Sequence, residues 1–133
     1  MLASGLPEAV ADDEPILRML HETSKFSSTA PRVPAFMPGD ADIELSTARH
    51  PGMPPEEVHA LAEVFKVRPV KAGAVVLAHD IRRIQLEILA DEEPQRHAII
   101  VGWPQHADMD EQRSIRKSFA LQLVSVAKLI KYI

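Results

Sequence analysis

The stretch that decides the fold reads His97-Ala98-Ile99-Ile100-Val101-Gly102-Trp103-Pro104, and an acidic link and a long amphipathic segment to Ile133 follow it. Residues 98–101 are apolar at every position, which is typical of a strand buried on both faces of a sheet. Gly102 and Pro104 predict a turn directly after that strand. The segment therefore predicts a central strand, a turn and one long helix, as expected of an α+β domain.

The predicted C-terminal helix begins at Asp108, whose carboxylate can accept hydrogen bonds from the first free N–H groups. Glu111, three residues later, completes a capping-box pattern. At about 100° per residue, the apolar side chains fall on one stripe: Ile115, Phe119, Leu123, Val126, Leu129, Ile130 and Ile133. The basic side chains are predicted to lie on the opposite face: Arg113, Arg116, Lys117, Lys128 and Lys131. We expect the stripe to cover the sheet and the basic face to point outward.

The middle of the chain predicts the rest of the sheet and a second helix. Val58, Leu61, Ala62 and Phe65 recur at helical spacing and predict a helix over 55–66. Strands are predicted around 43–47, 73–79, 84–89 and 97–102, with a turn through residues 80–83. The fold class is therefore α+β, with a small three- or four-stranded sheet covered by the mid-chain helix and the C-terminal helix.

The first 41 residues are predicted to be an irregular, proline-rich arm. Eight of the 11 prolines precede residue 56, and residues 23–41 combine serines, two threonines and three prolines. Asp12-Asp13-Glu14-Pro15 before an apolar run is typical of a helix start, so a short helix is expected to about Glu22. Two parts result: an arm over residues 1–41 and an α+β domain over residues 42–133.

Composition excludes several classes of function. The chain has no cysteine, which excludes disulfides, thiolate chemistry and cysteine-ligated zinc. The net charge of −4 provides no general attraction to nucleic acid. No signal-peptide pattern stands at the N-terminus and no apolar run is long enough to span a bilayer, so we expect a cytoplasmic protein without membrane contact.

One pattern resembles small bacterial proteins of uncharacterised function. It consists of Asp80-Ile81-Arg82, then Leu86 and Ile88, then Pro94, then His97-Ala98-x-Ile100-x-Gly102-x-Pro104. It covers about 25 of the 133 residues and carries no chemistry. The resemblance implies a bacterial origin and an α+β fold.

His97 is the residue with the clearest choice between a functional and a structural role. It could act as a general base oriented by Glu87 or Asp91, or its ring could satisfy a link carbonyl and fix the entry to the strand. No nucleophile or acid is identifiable beside it, which favours the structural role. A metal site using His79, Asp80, His97, His106, Asp108 and Asp110 would need these residues to converge, and no metal-binding motif is present.

Trp103, the only tryptophan, also has two interpretations. It could close one end of the core, with its N–H donated to a carbonyl group. It could instead be an exposed anchor for a partner, because tryptophan is over-represented among interface hot spots. The turn at a strand end favours the first interpretation.

The sequence leaves three hypotheses for function, and no cofactor is expected. The leading one is a non-catalytic interaction module or accessory subunit that binds another protein, such as the product of a neighbouring gene in its operon. The candidate interaction residues are Trp103, His97, Arg113, Arg116, Lys117, Lys128 and Lys131. The second is nucleic-acid binding through the five basic residues. The third is a small hydrolase or metal-dependent enzyme that uses His97, with His106, Asp108 and Glu87.

Overall fold

The fold is α+β and is built on one six-stranded antiparallel sheet, as a computed structural model of the chain shows. The structure describes residues 2–51, 53–67 and 69–132. The strands are β1 (Pro15–Leu20), β2 (Glu44–Arg49), β3 (Ala72–Leu77), β4 (Glu87–Ala90), β5 (His97–Val101) and β6 (Lys128–Lys131). Their order across the sheet is β4-β5-β2-β1-β3-β6. The predicted fold class is confirmed, although the sheet has more strands than the predicted three or four.

Among the described residues, three helices cover the two faces of this sheet. They are α1 (Pro55–Phe65), α2 (Ala78–Arg83) and α3 (Met109–Val126), and 3-10 turns lie at Thr23–Lys25 and Val33–Phe36. On one face α2, α3 and Phe36 pack against Ile16, Leu45 and Ile100. On the other face α1 packs through Val58 and Ala62. We call these the α3 face and the α1 face of the sheet.

Residues 15–20 form an interior strand, so the predicted helix in this region is wrong. β1 pairs with β3 along its whole length, from Pro15 opposite Leu77 to Leu20 opposite Ala72. Leu17 and Leu20 point to opposite faces of the sheet and are both fully buried. A run of apolar residues buried on both faces suits a central strand, and proline is tolerated at its first position. The proline-rich arm therefore contributes a central element of the sheet.

The C-terminal helix ends at Val126, seven residues before Ile133, where the predicted helix ends. Ala127 is extended, and Lys128–Lys131 then pair with β3 as an edge strand. This pairing satisfies main-chain groups of β3 that would otherwise lie at an open sheet edge. Lys128 and Lys131 are therefore on a strand, and Ile133 lies outside the described residues.

The other predicted elements are largely confirmed. β2, β3, β4 and β5 occupy the predicted regions with shifted ends, and β5 is an interior strand. The 55–66 helix is confirmed as α1, while the predicted turn at 80–83 is part of the short helix α2. Asp108 caps α3 by accepting from the N–H groups of Asp110 and Glu111. A capping box would also have the Glu111 side chain accept from the Asp108 N–H. That N–H instead donates to His106 Nδ1 at 3.0 Å.

A buried ion pair fastens β2 to the segment before β1. Arg49 Nε and Nη2 each donate to the Glu14 carboxylate at 2.6 Å, and Nη1 donates to the Pro7 carbonyl. The Arg49 side chain is 0% exposed and that of Glu14 is 7% exposed. Both charges are almost fully removed from water, so each depends on the other for compensation.

We predict that breaking this pair from either side destabilises the fold by about 3–5 kcal/mol. Arg49→Met leaves the Glu14 carboxylate buried without a cation, and Glu14→Gln leaves the guanidinium without an anion. Urea denaturation of both variants measures the loss. Asp12→Asn is the matched control, because Asp12 pairs with Arg82 at an exposed site and should cost less than about 1 kcal/mol. Equal losses in the buried and exposed variants would contradict the prediction.

Candidate active site

His97 lies at the start of β5 with polar partners on both ring nitrogens. Its Nε2 is 2.6 Å from the Ser46 hydroxyl oxygen, and its Nδ1 is 3.3 Å from an Asp91 carboxylate oxygen. The ring makes an edge-to-face contact with Phe65 of α1, with ring centroids 5.2 Å apart. Asp91, and not Glu87, is therefore the carboxylate in a position to orient the His97 ring. Glu87 instead accepts from Arg82 at 2.6 Å.

The sheet register explains why these three residues meet. His97 lies opposite Ala48, so Ser46 is two residues further along β2 on the same face. Asp91 directly follows β4, and its N–H donates to the His97 carbonyl at 2.8 Å. Neighbouring strands therefore supply one residue each, and all three side chains lie on the α1 face.

The contact between His97 Nδ1 and Asp91 defines the tautomer that the site favours. Nδ1 is buried and has no hydrogen-bond partner of good geometry among the described residues. The Asp91 carboxylate at 3.3 Å is the acceptor within reach. A proton on Nδ1 therefore faces Asp91, which leaves Nε2 free to accept the Ser46 hydroxyl proton.

A cleft of about 390 Å³ opens beside Ser46 and His97. It lies where β1 and β2 separate, because their ladder contains two pairs, Ile16–Arg49 and Leu17–Ala48. Beyond that point Arg18 spans the gap. Its Nε donates to the Ala35 carbonyl at 2.9 Å and its Nη1 donates to the Ser46 carbonyl at 3.0 Å.

The main-chain N–H of Ser46 faces the same gap. In an antiparallel strand the N–H and C=O of one residue point to the same side, and the Ser46 carbonyl points toward Arg18 of β1. No β1 residue pairs with Ser46 in the described ladder. This N–H therefore points to the side of β2 from which β1 has separated.

Ser46 and Arg18 were not identified from the sequence as site residues. The only local signal for Ser46 is that it alternates with Leu45 and Thr47 in a predicted strand. Arg18 falls within the segment that was predicted to be a helix. Their proximity to His97 depends on the pairing of β2 with β5 and of β1 with β2, which join residues far apart in sequence.

The five basic residues do not form one helix face, which corrects the predicted basic surface. Arg116 is 2% exposed and donates to the Pro104 and Gly39 carbonyls at 2.8 and 3.0 Å. Its spacing of four residues from both Gln112 and Ala120 places it on the buried side of α3. Arg113 forms a two-pronged ion pair with Asp40. Lys117 remains exposed on α3, separate in the fold from the lysines of β6.

Trp103 belongs to the core, which confirms the interpretation as a cover at the end of the strand. Its side chain is 3% exposed, and its indole N–H donates to the Ile100 carbonyl at 3.0 Å. Its ring packs near Phe119 of α3, with centroids 6.4 Å apart. A side chain with this burial is not an exposed anchor for a partner.

The residues considered for a metal site are dispersed. In the parts of the chain that the structure describes, no three His, Asp or Glu side chains are grouped as a metal ion would require. His106 and Asp108 serve the N-terminus of α3, and His79 Nε2 contacts Arg83. His97 is grouped with Ser46 and Asp91 instead.

Comparisons with known proteins provide no family for this chain. No protein-family model, no curated protein and no solved structure matches it. Within residues 2–51, 53–67 and 69–132, no helix has the length and apolar character needed to cross a membrane.

We predict that Trp103 is shielded from water in the folded protein. Its emission should be blue-shifted, and acrylamide should quench it severalfold less in buffer than in concentrated urea, because the ring is buried between β5 and α3. Fluorescence quenching reports on this position alone, since the chain has a single tryptophan. Equal quenching in the two solvents would contradict the placement of Trp103 in the core.

Proposed function

We propose that the protein is a serine hydrolase in which Ser46 attacks esters or other activated acyl groups. The observation that carries this proposal is the 2.6 Å contact between Ser46 Oγ and His97 Nε2 beside an open cleft. A serine hydroxyl is a weak nucleophile by itself, and an adjacent base activates it. Nucleophile, base and a carboxylate in line are the arrangement that this chemistry uses on unrelated folds.

Each residue has one role in the proposed reaction. His97 Nε2 accepts the proton of Ser46 as Oγ attacks the acyl carbon. Asp91 holds the ring in the Nδ1–H tautomer and stabilises the imidazolium that forms. At 3.3 Å the Asp91 carboxylate lies within reach of Nδ1, and catalytic hydrogen bonds often tighten only when substrate binds.

The Ser46 N–H supplies a donor for the oxyanion of the tetrahedral intermediate. A main-chain N–H fixed in a strand needs little reorganisation when charge develops on the substrate oxygen. Because hydroxyl and N–H belong to the same residue, an acyl group within reach of the hydroxyl also lies near the N–H. In the proposed reaction, the nucleophile and the oxyanion donor approach the substrate from the same side.

The proposed reaction proceeds in two balanced steps. In the first, Oγ forms a bond to the acyl carbon, the bond to the leaving alcohol breaks, and His97 passes the serine proton to that alcohol. In the second, His97 removes a proton from water, whose oxygen attacks the acyl-serine. The bond to Oγ then breaks, His97 returns the proton to Ser46, and a carboxylic acid is released.

The proposed serine hydrolase is a form of the enzyme hypothesis, and it weakens the support for the other two hypotheses. It keeps His97 as the base and uses Ser46 and Asp91 in place of His106, Asp108 and Glu87. Nucleic-acid binding loses the continuous basic helix face on which it was based. An interaction module remains a second proposal, supported by Leu89, which is 48% exposed on the edge strand β4.

Labelling with a fluorophosphonate probe tests the proposed nucleophile. Attack by Ser46 Oγ on phosphorus expels fluoride and leaves a stable adduct, and mass spectrometry of peptides locates it. We expect one adduct per chain, on Ser46. His97→Gln should slow labelling by roughly 100-fold or more, within the range for general base catalysis.

Control variants separate activation of Ser46 from simple exposure. Ser118→Ala removes an exposed hydroxyl from α3 and should leave labelling unchanged. Asp91→Asn should slow labelling, because the amide favours the wrong tautomer of His97. Failure to label Ser46, or labelling that proceeds equally in His97→Gln, would exclude the serine hydrolase.

A further inference from the structure

We infer that Arg18 binds a carboxylate of the substrate, so that the cleft selects acyl groups with a carboxylate a few carbons from the attacked carbon. This inference rests on the proposed function, because it assigns the substrate class of the same cleft. It starts from an arginine that lines the cleft together with Ser46 and His97.

Two hydrogen bonds hold the Arg18 side chain, and no counter-ion among the described residues neutralises it. Two of the five guanidinium donors have acceptors, the carbonyls of Ala35 and Ser46. Among the described residues no carboxylate lies within 4.0 Å of it, whereas Arg49, Arg82 and Arg113 each have an acidic partner. Burial lowers the pKa of Arg18 from its ordinary value, because desolvation disfavours the charged guanidinium.

The position of the guanidinium sets the length of the acyl group. Nη1 is 3.0 Å from the Ser46 carbonyl oxygen, and this oxygen and the hydroxyl of the same residue are separated by a few bonds. The guanidinium therefore lies within roughly 8 Å of Oγ. An acyl carbon at Oγ and a carboxylate at Arg18 must belong to one short dicarboxylic acid, such as succinate or glutarate.

The acidic residues of the cleft leave this position open. Asp42 accepts from the Gly39 N–H at 3.1 Å, which commits its carboxylate to the loop before β2. Glu44 is exposed at the start of β2. Among the described residues, neither carboxylate forms a hydrogen bond or an ion pair with Arg18. A planar guanidinium with free donors is suited to a carboxylate, and such charge-assisted hydrogen bonds are stronger than neutral ones.

Hydrolysis of matched esters tests the inference. The probes are p-nitrophenyl butyrate and the p-nitrophenyl monoesters of succinate, glutarate and adipate, compared by kcat/KM. We expect the best dicarboxylate ester to exceed the butyrate by about 10- to 100-fold, the value of a hydrogen bond to a charged group. Equal or lower kcat/KM for all three dicarboxylate esters would overturn the inference.

Variants identify Arg18 as the origin of the preference. In Arg18→Gln the ratio of dicarboxylate to butyrate hydrolysis should fall close to one, whereas Arg18→Lys should retain part of it. Arg32→Gln is the control, because it removes the same charge from an exposed residue outside the cleft and should leave the ratio unchanged. An unchanged ratio in a folded Arg18→Gln, verified by circular dichroism, would overturn the role of Arg18.

A binding measurement separates this inference from the proposed function. Glutarate titrated into Ser46→Ala should shift amide resonances around the cleft, and Arg18→Gln should abolish those shifts. Arg18-dependent glutarate binding without Ser46-dependent hydrolysis would support the carboxylate site and reject the serine hydrolase. Hydrolysis that depends on Ser46 and shows no preference for the charged esters would reject the carboxylate site alone.

Discussion

The separation of β1 from β2 is the constraint on which the candidate site depends. The two strands pair at Ile16–Arg49 and Leu17–Ala48, and beyond this point the side chain of Arg18 replaces a main-chain partner for Ser46. A fully paired ladder would bond both main-chain groups of Ser46 and close the cleft. The ion pair between Glu14 and Arg49 holds the paired end of the two strands together. The sheet is therefore firmly joined at one end of this interface and open at the other.

The wall of the cleft is held by polar side chains of α3. Arg116 donates to the carbonyls of Gly39 and Pro104, and Gln112 Nε2 donates to the Asp40 carbonyl at 2.9 Å. These bonds compensate the burial of a cation, because main-chain carbonyls satisfy a guanidinium when no carboxylate is present. They also anchor the loop that leads into β2 and carries Ser46. Basic residues that the sequence pattern assigns to a solvent-facing surface therefore have internal structural roles.

What the sequence could predict depends on the range of the interactions involved. α1, β5 and the cap at Asp108 were predictable, because periodicity and capping act over a few residues. β1 and β6 were not, since acids before Pro15 resemble a helix start and the Lys128–Lys131 segment continues a helical stripe. Both segments become strands by pairing with β3, whose main chain would otherwise lack partners on its two sides. Tertiary pairing overrides local preference at both positions.

The same difference between local and long-range interactions explains why only part of the candidate site could be predicted from the sequence. His97 and Asp91 belong to one hairpin, so a carboxylate oriented toward the histidine could be expected from their spacing. Ser46 comes from a strand 51 residues earlier, and its approach follows from the pairing of β2 with β5. Because ladder spacing fixes strand positions closely, the three side chains are aligned by the main chain of three adjacent strands. A catalytic arrangement of this kind needs no strained turn and no metal ion to position its nucleophile, since the sheet itself supplies the alignment.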